Sequence, residues 1–162
     1  LRIDVEGEVK KLEYELNEEP FDALVISDYD KGFITQKKLF ELIDWFDGPV
    51  FVDSKKKVLP VGCFVKVNDI EYEKLESKTN NLIVTRGGKG AEYKGKLYPA
   101  EKVKVSDVVG AGDTFLAALT YAYLKYGSIE EAIPFANKAA AIAVSHPGTY
   151  VLTEEDINEI LH

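Results

Sequence analysis

The sequence predicts an α/β fold built on a mostly parallel sheet with helices on both faces. Three observations predict it. Short, wholly apolar runs such as Ala23-Leu24-Val25-Ile26 and Val50-Phe51-Val52 read as strands buried on both faces. Helical periodicities alternate with them, the pattern of parallel strands joined by crossovers. The 162 residues suit one domain, 46% of them hydrophobic, enough for a real core.

The elements follow in order. Val5, Val9, Leu12 and Leu16 are spaced as one face of an amphipathic helix that Pro20 ends. Ala23–Ser27 is the first strand. Thr35 caps a helix reaching Phe46, with Leu39, Leu42, Ile43 and Phe46 on one face, and Gly48-Pro49 breaks it. Val50–Val52 is the second strand, ending at Asp53. Cys63–Val67 is the third, followed by a short helix from Ile70 to Leu75, and Leu82–Thr85 is the fourth. Glu92–Lys94 and Lys96–Tyr98, turning at Gly95, read as a hairpin. A loop leads to Gly110-Ala111-Gly112 and a long apolar helix to Tyr126. Ser128 with Glu131 has capping-box spacing for a helix to Ser145, whose first turns Pro134 is expected to disturb. Thr153 with Asp156 starts the last helix.

Composition narrows the function. Acidic residues outnumber basic ones 28 to 20, a formal charge of −8, so generic binding to nucleic acid or an anionic membrane is not expected. Trp45, Phe40 and Phe46 offer no base-stacking platform. No apolar run approaches the roughly 18 residues that span a bilayer. Cys63, the one cysteine, excludes a disulfide framework and a zinc cluster and fits the cytoplasm. The chain opens at Leu1 and has no methionine, so it is expected not to be a whole translation product.

In parallel sheets ligands sit beyond the carboxyl ends of the strands. The sharpest chemical motif is Asp107-Val108-Val109-Gly110-Ala111-Gly112-Asp113. Small residues meet the first turn of a helix, where unpaired N–H groups and a partial positive charge favour phosphate. Asp113 beside them suits a base that takes a proton from an attacking hydroxyl. The plainer alternative is a turn followed by a helix start that favours an acid. The motif lacks the lysine and hydroxyl residue of a Walker loop, and neither it nor Gly87-Gly88-Lys89-Gly90 has the strand-to-helix context of a dinucleotide fingerprint.

The Gly-Ala-Gly-Asp stretch resembles the signature of ribokinase-like (PfkB-type) carbohydrate kinases. Asn68-Asp69-Ile70-Glu71 resembles that family's Asn-x-x-Glu element, Val84–Gly90 its strand-to-hairpin nucleotide loop, and Ala136–Ala141 the helix lining its adenine pocket. Ser27-Asp28-Tyr29-Asp30-Lys31-Gly32 and Val52-Asp53-Ser54-Lys55 are most similar to the heptose-7-phosphate kinase domain of ADP-heptose synthases, in which glycine usually stands where Asp30 does here. The resemblance covers about Asp22 to Thr149.

The resemblance implies a three-layer sandwich, of which residues 1–162 form the C-terminal, nucleotide-binding half-domain. It implies phosphoryl transfer from ATP to a sugar or sugar-phosphate hydroxyl. Asp113 is then the base, and the N–H groups of Gly110, Ala111 and Gly112 are the anion hole. Asn68 and Glu71 position magnesium and phosphates. Thr85, Arg86, Gly87 and Gly90 flank the nucleotide, Asn137 lies near adenine or ribose, and Lys55 near the phosphates. Asp107 and Val109, with Ser145 and Gly148, are candidates for a monovalent-cation loop binding potassium. Asn68 and Glu71 could equally cap a helix, Asn137 could be a locally satisfied core amide, and Lys56 and Lys57 read as solvated charges. Sugar contacts sit in the half of such a kinase that this chain does not resemble. The chain is therefore expected to pair with a copy of itself or with a companion carrying that half.

Overall fold

The computed structural model describes residues 10–12 and 21–162. The helix expected around Val5, Val9 and Leu16 lies outside the described residues. Of its four apolar positions only Leu12 is described, and its N–H donates to Phe33 O at 2.8 Å.

Among the described residues six strands form one sheet in chain order: β1 (Leu24–Asp28), β2 (Val50–Ser54), β3 (Phe64–Asn68), β4 (Leu82–Thr85), β5 (Ala91–Tyr93) and β6 (Lys96–Tyr98). β1 to β4 run parallel, and β5 and β6 return as the antiparallel hairpin. At its turn Lys94 and Gly95 both have positive φ, +49° and +77°, the conformation a tight two-residue hairpin needs.

The sheet parts two cores. Ile26, Val50, Val52, Val65, Val67 and Val84 point to one face and meet Leu39, Leu42 and Ile43 of α1 (Gln36–Trp45). Phe51 and Ile83 point to the other and meet Phe115 and Leu119 of α3 (Ala111–Tyr126), Ile133 and Ala136 of α4 (Ile129–Ser145), and Ile160 of α5 (Glu154–Leu161). The short α2 (Asp69–Glu73) follows β3 directly, and Tyr72 packs on the α1 side. The three-layer arrangement expected from the sequence is present.

Local signals act as their chemistry dictates. Thr35 and Thr153 accept from the N–H groups of Lys38 and Asp156, and Thr153 with Asp156 completes a capping box. Ser128 Oγ accepts from Glu131 N at 3.4 Å and donates to Glu130, but the Glu131 carboxylate does not take the Ser128 backbone N–H, so only half of the box forms. Pro134 does not interrupt α4, contrary to expectation. It costs one backbone bond near the helix start, and Ile133 and Phe135 beside it are buried against the core.

Among the described residues no helix is long and apolar enough to cross a membrane.

Candidate active site

The carboxyl ends of β1 to β4 and the first turn of α3 enclose two adjoining cavities. The smaller, about 150 Å³, is bordered by Tyr29, Asp53, Lys55, Lys66, Glu71 and Asp113. The larger, about 730 Å³, is bordered by Thr85, Gly87, Gly90, Ala111, Phe115 and Asn137. Lys66, Asn68 and Gly112 border both.

Asp113 is in the first turn of α3, whose N-cap Gly110 has φ +81°. Of the three amides expected to form an anion hole, that of Ala111 donates to Val108 O at 3.3 Å within the turn. The N–H groups of Gly110 and Gly112 have no partner among the described residues. A Cβ on Gly112 would lie 2.9 Å from Lys66 Nζ, so this glycine lets the ammonium approach the helix backbone.

Lys66 is the residue that sequence reasoning missed. It is 5% exposed and ion-paired with Asp53 at the end of β2. The signal was present: a lysine inside the buried strand Phe64-Val65-Lys66-Val67 needs a reason to be there. The pair places a positive charge where the two cavities meet.

Asn68 and Glu71 make a helix cap, and both side chains border the smaller cavity. Asn68 Oδ1 accepts from Glu71 N at 2.9 Å, and Asn68 N donates to Glu71 Oε2 at 2.8 Å. This box starts α2 and holds both side chains at the cavity edge. Among the described residues no group of three or more His, Cys, Asp or Glu converges as a metal site. Hydrated magnesium asks for less, one or two carboxylates plus phosphate and water.

In the loop after β4, Gly90 has φ +104°, and a Cβ there would meet Tyr98 O and, at 2.6 Å, Ala100 N. Both are backbone, so only glycine fits. Arg86 does not border the larger cavity. Its guanidinium bonds Asp69, and Glu92 at 2.8 Å, and these bonds raise its pKa. Asn137 is buried; its Nδ2 donates to Tyr98 O at 2.9 Å and Pro99 O at 3.3 Å, fixing the hairpin exit against α4 at the cavity wall.

Lys55 borders the smaller cavity, its Nζ 4.7 Å from the centre of the Tyr29 ring. Lys56 corrects an expectation: it is 8% exposed rather than solvated, with Nζ 2.7 Å from Asp30 and 3.3 Å from Asp28. Burial works to lower its pKa, but the Asp30 hydrogen bond and the Asp28 charge outweigh it and raise the value. Asp30 has φ +53°, which explains why glycine suits this position and how an anchored aspartate replaces it.

Asp107 accepts from Val109 N at 3.0 Å and Gly148 N at 3.2 Å, stapling the loop before α3 to the one after α4. The Val109 bond leads in lowering its pKa. Ser145 donates to Ile142 O at 2.7 Å.

Residues 67–156 match the family described as pfkB family carbohydrate kinase. This chain belongs to that family. It is 34% identical over 164 aligned positions to the bifunctional protein HldE of a Nitratiruptor species, covering 86% of this chain and 36% of the relative. An uncharacterized sugar kinase of Buchnera aphidicola is 28% identical, covering 88% of this chain and 54% of the relative. The chain thus spans roughly a third to a half of the curated relatives it matches. In fold it is similar to the ribokinase of Thermotoga maritima, TM-score 0.67 at 24% identity, covering 86% of this chain and 56% of that one. Escherichia coli phosphofructokinase-2, solved with potassium, gives TM-score 0.67 at 23% identity, covering 85% and 55%. The fold of the pfkB-family chain is therefore ribokinase-like.

Proposed function

We propose that this chain carries the nucleotide side and the base of an ATP-dependent phosphotransfer to a sugar or sugar-phosphate hydroxyl, as in heptose-7-phosphate kinases. One observation carries the reading. Gly112 and the buried Lys66 ammonium border both cavities, and Asp113, next to Gly112, borders the small one.

In this reading ATP fills the large cavity. Its adenine end lies toward Asn137, with Thr85, Gly87 and Gly90 beside it and its γ-phosphate toward Gly112. The acceptor hydroxyl enters the small cavity. Its oxygen bonds to the γ-phosphorus as the bridging oxygen–phosphorus bond breaks, the electron pair leaves with ADP, and the proton passes to Asp113. Lys66 and Gly112, which border both cavities, stabilise the charge on the transferring group, held in place before the reaction begins. Lys55 holds negative charge on the acceptor side. Arg86 acts by shaping the loop through Asp69 and Glu92.

Magnesium fits Asn68 and Glu71, oxygen donors held at the rim between the cavities, and when bound it neutralises phosphate charge. A potassium ion fits the two loops that Asp107 joins. The setting is the cytoplasm, where ATP is available.

Sugar contacts come from residues outside 1–162, whether elsewhere in the same protein, in a second copy or in a companion. The exposed β1 face, with Val25 46% exposed, supports such an association. A solution mass above that of one chain is expected, and a strictly monomeric one would count against it.

The test measures ADP release with magnesium-ATP and heptose 7-phosphate for the parent and Asp113→Asn, each assayed together with the half that supplies the sugar contacts. The parent should turn over, and the variant should lose at least about 100-fold while still binding ATP. Equal turnover would refute the assignment. ATP binding without transfer in both would favour an inactive nucleotide-binding module.

A further inference from the structure

Tyr29 follows β1, and its hydroxyl donates to both carboxylate oxygens of Asp113, 3.3 Å from Oδ1 and 3.2 Å from Oδ2, across 84 residues of sequence. Its ring is 51% exposed, and an exposed tyrosine ordinarily has no fixed partner.

Here it is held from two sides. Lys55 lies over the ring. Beneath, a buried polar network clamps the backbone on both sides of Tyr29 and of Lys55. Ser54 Oγ donates to Asp28 Oδ2 at 3.1 Å, and Asp28 Oδ1 accepts from Asp30 N at 3.0 Å. Ser54 Oγ accepts from Lys56 N at 3.1 Å, and Lys56 Nζ closes the circuit on Asp30 and Asp28. Asp28, Ser54 and Lys56 are all under 9% exposed. Burying two charges is costly unless they are paired and hydrogen-bonded, as these are. What the network fixes is the pair of residues between its members, Tyr29 and Lys55, and both border the small cavity.

We propose that Tyr29 is a positioning residue that holds the Asp113 carboxylate in its working orientation. The inference rests on the reading of Asp113 as the base. Asp113 is itself exposed and otherwise free to change rotamer. A base out of line by an ångström can cost about 100-fold in rate. The phenol can serve because it stays protonated. Burial first, and then the Asp113 charge, hold its pKa above the usual tyrosine value.

The test compares the parent, Tyr29→Phe and Asp113→Asn. Tyr29→Phe keeps the ring under Lys55 and removes only the hydroxyl. With magnesium-ATP and heptose 7-phosphate, its kcat should fall about 10-fold or more, with the KM for ATP and the Tm unchanged. A merely structural role would move Tm or KM instead. Independently, ¹³Cζ-tyrosine NMR should show Tyr29 ionising at lower pH in Asp113→Asn than in the parent. An inactive Asp113→Asn beside a Tyr29→Phe of parental kcat would overturn the inference alone, as would a Tyr29 titration indifferent to Asp113→Asn. Parental turnover in Asp113→Asn would overturn the base reading and the inference with it.

Discussion

Replacing Lys66 with methionine keeps most of the side-chain volume and removes the charge. It leaves the Asp53 carboxylate, 16% exposed, without its counter-ion between the strand ends. Removing one partner of a buried pair costs about 3–5 kcal/mol, mostly for the charge left behind. Asp53 keeps some contact with water, so the low end applies, about 3 kcal/mol. In a chain of this size that lowers Tm by about 6–12 °C. The double variant Lys66→Met with Asp53→Leu removes both charges and should recover most of the loss. Urea denaturation followed by circular dichroism measures all three proteins. A single variant within about 1 kcal/mol of the parent would show that the pair is solvated and not buried. A double variant no better than the single would show that Asp53 does not bear the penalty. Either result would also remove the pre-aimed charge assigned to Lys66 at the junction of the cavities.

Gly90→Ala forces a Cβ against the backbone of Tyr98 and Ala100 at φ +104°, so the urea midpoint should fall by the equivalent of about 3 kcal/mol or more; a wild-type midpoint would mean that the loop relaxes. Burial pushes the Cys63 thiol up to about 11, so a thiol reagent at pH 8 should label it only after unfolding; prompt labelling of the native chain would contradict its burial. Asp107 and Asp156 have lowered pKa values in the fold, led by backbone bonds from Val109 and Thr153. Their stabilisation is present above the ordinary carboxylate pKa of about 4 and is lost as pH falls through the lowered values. The urea midpoint should therefore drop below about pH 4, and Asp107→Asn with Asp156→Asn should flatten that drop.

Where a function needs a pattern within one stretch, the sequence is readable. The apolar strands read to within one or two residues because the central ones are covered on both faces, whereas β1, expected to be buried on both faces, leaves Val25 exposed. The Gly-Ala-Gly-Asp turn stands out because a helix start, a tight turn and an acid coincide. Asn68 and Glu71, three residues apart after a strand, read either as a helix cap or as residues on the ligand edge, and in the structure they cap α2 beside the cavity. What depends on distant partners was not readable. Lys66 is one lysine among many until Asp53 and Gly112 come up against it. The Tyr29–Asp113 bond joins the first strand to the third helix, and no spacing announces it. Lys56 misled because adjacent lysines usually face water, and only the fold brings Asp28 and Asp30 around it. Arg86 follows a strand, which suggested a ligand contact, but its fork is taken by two carboxylates that flank it in space.

Phosphotransfer by this chain requires the large cavity to be a formed nucleotide site beside the α3 first turn. Calorimetric titration of magnesium-ATP into the parent and Asp113→Asn tests that directly. Saturable binding of one ATP per chain in both is predicted, because Asp113 serves the transfer and not the nucleotide. No binding to the parent at millimolar ATP would contradict it.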